Sequence, residues 1–282
     1  MTAATLAQVL QPALAQGHAV AGLVCLGWED ARAYVAAAEA ERAPVILQAG
    51  PGARAHTPLP ILARMFRHLA EGASVPVVTH LDHGRSVEEC RIAVAEGFTS
   101  VMFDGSRLPL ARNIEETAAV AAMAHAAGVS CEGEIGCVGY ADGTEGTRTD
   151  PQEAARFATE TAVDAMAVAV GNLHLLRDRS GALDEVALAA ITAATGGRVP
   201  LVIHGGSGVP GDQRRRLAQS TPVCKFNIGT ELRQAFGAAL REALASDPAQ
   251  FDRLAILRAT EGPLTAAARG VLCSVMSQGR AG

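Results

Sequence analysis

Lysine is nearly absent: Lys225 is the one such residue in a chain of 282. Chemistry that needs an amine to form a Schiff base with a carbonyl therefore has a single candidate. No basic run exceeds Arg214-Arg215-Arg216, and the net charge is −5. Neither nucleic acid nor a membrane surface is implied as a partner. No uninterrupted apolar stretch approaches membrane-spanning length, and no charged n-region followed by a long apolar h-region opens the chain. The six cysteines, Cys25, Cys90, Cys131, Cys137, Cys224 and Cys273, show no C-x-x-C spacing. Several sit in apolar runs, as buried thiols do, so a reducing compartment and a cytoplasmic location are expected. Aromatic residues make up only 4%; the abundant alanine and glycine allow helices to pack closely on a sheet.

What is present is 49% hydrophobic and 19% charged, ample for one large core. Residues 5–16 read as an amphipathic helix, a lid for the lower end of a barrel. Strand-like runs follow at 19–25, 44–49, 75–84, 99–104, 129–135, 165–170, 200–203 and 222–227, separated by helical segments. Gly50-Pro51-Gly52 reads as a loop. Ser86 with Glu89 three residues on marks one helix start, and Asp150-Pro151 another. Eight strands alternating with helices imply a parallel sheet closed as a (β/α)8 TIM barrel, one domain spanning 1–282. A doubly wound open sheet is the runner-up, but no G-x-G-x-x-G follows the first strand. A helical tail is expected from about residue 247, with fraying over 277–282.

The third run carries the chemistry. Val75-Pro76-Val77-Val78-Thr79 reads as a buried strand, and it leads into His80-Leu81-Asp82-His83-Gly84. Neighbouring side chains in a strand point to opposite faces. Asp82 and His83 can share one pocket only if the chain is leaving the strand there. Two later strand-like runs also lead to histidine, His174 and His204. Three such histidines beside a carboxylate suit a catalytic zinc site with an open position. The glycine-rich His204-Gly205-Gly206-Ser207-Gly208 and Asn227-Ile228-Gly229-Thr230 follow strands seven and eight, where barrels often bind phosphate. Their glycines let backbone N–H groups approach an anion, and Ser207 and Thr230 add hydroxyls.

Taken in order, His80-Leu81-Asp82-His83-Gly84, Ser100-Val101-Met102-Phe103-Asp104-Gly105-Ser106, Glu132-Gly133-Glu134-Ile135-Gly136, His204 to Gly208 and Lys225 to Leu232 resemble the class II, metal-dependent ketose-bisphosphate aldolases. That resemblance, over roughly residues 40 to 245, implies a lyase of carbohydrate metabolism. Its substrate would be a ketose phosphate, split reversibly into dihydroxyacetone phosphate and an aldehyde. It makes a metal, not Lys225, the electron sink, with His83, His174 and His204 as zinc ligands. Glu134 and Asp104 would line the metal pocket, and Asp82 would be the acid/base for the β-hydroxyl. Gly171, Gly205, Gly206, Ser207, Asn227, Gly229 and Thr230 would bind substrate and its phosphate. A monovalent cation, Na+ or K+, near the phosphate and a homodimer or homotetramer belong to the same set of expectations.

The chain departs from the family around the substrate. Val24 stands where asparagine is usual, Gly50 where serine is usual, and Leu175 where glycine follows the histidine. The loop after Gly136 is short, leaving Asp142 and Glu145 as its acidic candidates for acid/base work. Arg258 or Arg253 is the remaining cation for a second phosphate. Two other functions share these residues: a sugar-phosphate epimerase or isomerase on the same metal barrel, and a non-catalytic sugar-phosphate-binding or assembly subunit. Retention of Asp82 with all three histidines speaks against the latter, since a binder needs no general base.

Overall fold

The computed structural model describes residues 2–181 and 183–276. Eight strands form the barrel: β1 (Val20–Val24), β2 (Val45–Ala49), β3 (Val77–Gly84), β4 (Ser100–Phe103), β5 (Ser130–Ile135), β6 (Ala165–Val168), β7 (Leu201–Ile203) and β8 (Val223–Ile228). Each pairs in parallel with the next, and β8 pairs with β1, so the sheet closes on itself. The expected (β/α)8 barrel is the observed fold, and the open sheet is excluded by that closure.

The lower end is sealed as the amphipathic pattern implies. Helix Leu6–Gln16 begins with a capping box between Thr5 and Gln8. It buries Leu6, Val9, Leu10 and Ala13 against Val20, Ile46, Val78, Ala167 and Val202 inside the barrel. A second, larger apolar layer lies between the strands and the outer helices. The Ser86 hydroxyl accepts from Glu89 N–H at 3.1 Å, and Asp150 caps Gln152 and Glu153. Each start signal in the sequence thus has its hydrogen bond.

Two local expectations change, and a third, the helical tail, holds. Gly50-Pro51-Gly52 is not a plain loop: Pro51–His56 is a helix, with proline at its first turn where its missing N–H costs nothing. The sixth strand ends at Val168, and His174 lies beyond it in a two-residue strand, Leu173–His174, paired with Gly139–Tyr140. The C-terminal tail forms helix Arg253–Val275; the expected fraying over 277–282 lies outside the described residues. No described helix is long and apolar enough to cross a membrane.

Five cysteines are buried and Cys273 is exposed, all of them free thiols. Burial pushes the Cys90 and Cys224 thiols up to about 12, far from the reactive thiolate form. Native protein should therefore release about one equivalent of thiol to Ellman's reagent, and the rest only on denaturation. Fast reaction of three or more thiols in the folded protein would contradict this packing.

Candidate active site

The barrel interior is layered by the alternation of its strands. On β3, Val78 faces the apolar plug, and His80 and Asp82 follow at two-residue steps toward the upper mouth. At the middle level Lys225, Glu132 and His80 are fully buried. Lys225 Nζ donates to Glu132 Oε2 at 2.6 Å and lies 3.3 Å from His80 Nε2. Glu132 Oε1 in turn lies 3.1 Å from His204 Nε2. The sole lysine is therefore consumed as a counter-ion beneath the site and does not line the cavity above it.

Above this layer, β3 solves the problem its sequence poses. Its pairing with β4 shifts register between Leu81 and Gly84, and His83 adopts φ 52°. This bulge, not the end of the strand, turns Asp82 and His83 toward one cavity. Arg54, from the helix that sequence inspection reads as a loop, holds the bulge. Its guanidinium donates to the carbonyls of Asp82 (2.7 Å) and His83 (2.9 Å) and pairs with Glu89 at 2.8 Å.

Asp82 is buried, and its Oδ1 accepts from Gln48 Nε2 at 3.0 Å and Asn227 Nδ2 at 3.1 Å. Both donors are amides, which orient a carboxylate without protonating it. A Cβ on Gly50 would lie 3.3 Å from Asp82 Oδ2, so the glycine leaves space beside that oxygen. Gln48, a lone polar side chain in the run Val45-Ile46-Leu47-Gln48-Ala49, has no role in a motif-based reading. Its polarity inside a buried strand is the signal that could have found it.

The structure brings His83, His174 and His204 together, with one ligand atom of each within 4.8 Å of the others; His83, Asp104 and Glu134 make a second such group. His83 Nδ1 lies 2.7 Å from Asp104 Oδ2, and Glu134 Oε2 stands between His83 Nδ1 (3.5 Å) and His204 Nδ1 (3.6 Å). His204 Nδ1 and Glu134 Oε2 are buried with no hydrogen-bond partner. Such orphaned atoms are costly unless something is bound between them, and a divalent cation fits this donor set.

The electrostatics agree. Burial would lower His83, but Asp82, Asp104 and Glu134 outweigh it and push the imidazole up to about 10. Burial, with the charge of His83, brings His174 down to about 4 and holds His204 well below the usual range, leaving both as neutral donors. Glu134 is pushed up to about 8 by burial and by Asp104. Asp104 resists its own burial through the His83 hydrogen bond and stays well below the ordinary carboxylate range. The field at this point calls for positive charge.

Asp82, His83, Asp104 and His174 open on a cavity of about 540 Å³, whose lining does not include the buried His204 and Glu134. Gly205, Ser207, Asn227, Gly229 and Thr230 line it; Gly171 and Gly206 do not. Gly205 has φ 64°, and a Cβ there would lie 2.1 Å from the Leu173 carbonyl, so only glycine fits. Ser207 Oγ accepts from the N–H groups of Gly229 and Glu231, and buried Arg214 joins the Gly206 carbonyl to Glu231. The two glycine-rich loops are braced as one unit at the start of helix Thr230–Ser246, whose first N–H groups have no intrahelical acceptor.

Other expected residues lie elsewhere. Asp142 and Glu145 are exposed in the loop and outside the cavity lining, and the loop residue that does line it is Tyr140, stacked 4.8 Å from His174. Arg258 and Arg253 are exposed on the C-terminal helix, also outside the lining. The arginines that do line the cavity are Arg85, Arg107 and Arg233. Leu175 has a left-handed φ of 60°, a conformation that favours glycine, the residue the family resemblance leads one to expect there.

The family profile described as "Fructose-bisphosphate aldolase class-II" matches residues 4–280. The chain belongs to the class II fructose-bisphosphate aldolase family. It is 36% identical to the fructose-bisphosphate aldolase of Geobacillus stearothermophilus over 288 aligned positions, covering 100% of this chain and 99% of that one. It is 39% identical to a 6-phospho-5-dehydro-2-deoxy-D-gluconate aldolase of Shouchella clausii over 261 positions, covering 90% and 87%. Among solved structures, the YdjI aldolase of Escherichia coli K12 superposes with a TM-score of 0.85 at 30% identity, over 99% of this chain and 100% of that one. The enzyme is a lyase acting on sugar phosphates by aldol chemistry.

An aldolase of this geometry forms no covalent amine adduct. Borohydride added with substrate should leave its mass unchanged, because Lys225 is buried and paired. Lys225→Met strands Glu132 as an unpaired buried charge and should cost about 3–5 kcal/mol of stability by denaturant unfolding. A trapped adduct, or a variant as stable as the parent, would remove Lys225 from this structural role.

Proposed function

We propose that the enzyme is a zinc-dependent aldolase that splits a ketose phosphate reversibly into dihydroxyacetone phosphate and an aldehyde, with Asp82 as acid/base. The observation that carries the reading is an amide-held carboxylate beside a cluster of three imidazoles, two of which, His83 and His174, line one cavity with a braced glycine-rich cradle. His83, His174 and His204 would hold the zinc, which would act as a Lewis acid on the substrate carbonyl. Asp104 and Glu134 orient His83 and set the negative field of the pocket. Glu132 holds His204 through Nε2 and so leaves Nδ1 as its donor atom. Ser207, Gly229 and Thr230 bind the phosphate and fix the ketone end. In cleavage, Asp82 takes the proton of the β-hydroxyl as the carbon–carbon bond breaks and the aldehyde forms, and it returns that proton in condensation.

Val24, beside Gly229 of the cradle, and Gly50, beside Asp82, offer no polar side chain where the family resemblance leads one to expect asparagine and serine, so the aldehyde is not glyceraldehyde 3-phosphate in this reading. The similarity to a gluconate-derivative aldolase supports a differently substituted aldehyde. Asp142 and Glu145 keep a loop acid/base role only if the loop folds inward over the cavity. Na+ or K+ beside the phosphate and a cytoplasmic location complete the reading, the latter supported by the buried free thiols. Exposed Phe251 and Leu254 support a homodimer or homotetramer.

Asp82→Asn should keep its zinc but lose roughly 10²–10⁴-fold in cleavage. His204→Ala should lose both metal and activity. Near-parental turnover by the first, in a chemistry-limited assay, or full metal occupancy in the second would rule the assignment out.

A further inference from the structure

The three imidazoles of the cluster are not presented alike. His83 lies within β3 and His204 directly follows β7, but His174 stands well beyond Val168, where β6 ends. The chain reaches it through Asn172 and leaves it through the left-handed turn at Leu175. Before the turn, the segment is held by the Asn172 amide on the His204 carbonyl at 3.0 Å and by the pairing with Gly139–Tyr140. After the turn, residues 176–181 form neither helix nor strand and are exposed or half-buried. A φ of 60° is unfavourable for a residue with a Cβ and persists only where both flanks are held.

The far flank is held by the phosphate cradle. A Cβ on Gly205 would lie 2.1 Å from the Leu173 carbonyl, and one on Gly208 would lie 2.7 Å from Leu176 Cδ2. The Gly181 N–H donates to the Gly208 carbonyl at 3.0 Å, and Gln234 Nε2 donates to the Arg177 carbonyl at 3.0 Å. To these neutral contacts Arg179 adds a charged one, its Nη2 on Glu231 Oε2 at 2.9 Å. Glu231 is a fixed acceptor. Its N–H is on Ser207 Oγ, and its other carboxylate oxygen accepts from buried Arg214 at 2.6 Å. Arg214 also donates to the Gly206 carbonyl and the Ser274 hydroxyl.

Resting on the zinc reading, we infer that Arg179 is a positioning residue for His174: its ion pair with Glu231 pins the segment after the Leu175 turn to the cradle and so fixes the imidazole at the cluster. With that flank released, the left-handed backbone at Leu175 relaxes toward the allowed regions, and His174 is held from one side only. Glu231 keeps Arg214 as its counter-ion whether or not Arg179 is present, so the barrel does not depend on the second pair. Arg179 is largely exposed, and an exposed ion pair is weakened by solvent. The effect on the metal site is therefore graded rather than total.

The test is zinc affinity by competition with a chromogenic chelator. Arg179→Gln should weaken it roughly three- to tenfold, and Arg179→Lys should recover part of the loss, because the charge survives while the fork does not. Arg216→Gln, which breaks a comparable pair with Glu185 on the outer helices, should leave it at the parental value. In a His174→Ala background, Arg179→Gln should change the remaining affinity by less than about twofold, since the ligand it positions is gone. Hydrogen exchange over residues 173–181 of the metal-free enzyme should be faster in Arg179→Gln than in the parent. Parental zinc affinity in Arg179→Gln, an equal loss with and without His174, or unchanged exchange would overturn the inference. A parent that binds no zinc, or a His174→Ala enzyme with parental zinc affinity, would instead contradict the zinc reading and take the inference with it.

Discussion

Two adjacent residues of one strand, Asp82 and His83, must face the same cavity, and strand geometry forbids it. The chain meets this constraint with a bulge and a left-handed backbone at His83. A non-glycine residue in that region persists only when its surroundings over-determine it. Arg54 does so here, gripping the carbonyls of the two peptides that flank the His83 Cα. The acid/base candidate, the first imidazole and the position of Arg85 all descend from this one distortion.

Beneath it, the interior manages an unusual density of charge. Lys225, Glu132 and His80 are completely buried, a costly arrangement unless each group is paired. They are paired with one another and, through Glu132, with His204. The cationic lysine is thus linked through one carboxylate to a metal-ligand candidate. Higher up, Asp82, Asp104 and Glu134 make the field at His83 negative, and burial keeps His174 and His204 neutral. A lower layer whose charges pair with one another, beneath an acidic upper layer, explains why the sole lysine serves structure while histidines serve chemistry.

The repeated alternation of apolar runs and helical segments made the barrel legible, because both periods are local. The lower plug was legible for the same reason. The histidine cluster was legible because three histidines each follow a strand-like run. The path of the chain between strand and ligand was not: His174 reaches the cluster through a short extra strand and the turn built on Asn172, which bonds the His204 carbonyl. Such placement depends on long-range pairing that no local pattern encodes. Arg54, on a helix of only six residues, and Arg85 and Arg107, in loops, were missed because such short or irregular segments carry no periodic signal. The tail arginines drew attention instead, and Arg258 stands exposed on its helix, away from the cavity.

If the bulge is the element on which the site depends, weakening its clamp should disturb metal and catalysis together while leaving the barrel folded. Arg54→Met removes the guanidinium that holds both carbonyls and keeps a side chain of similar length. The direct measurement is zinc affinity by competition with a chromogenic chelator, alongside kcat on the same preparation. Loss of a partner at this remove typically costs roughly 10- to 100-fold, and both quantities should fall within that range with far-UV circular dichroism unchanged. Parental zinc affinity and kcat in a folded Arg54→Met enzyme would contradict the account.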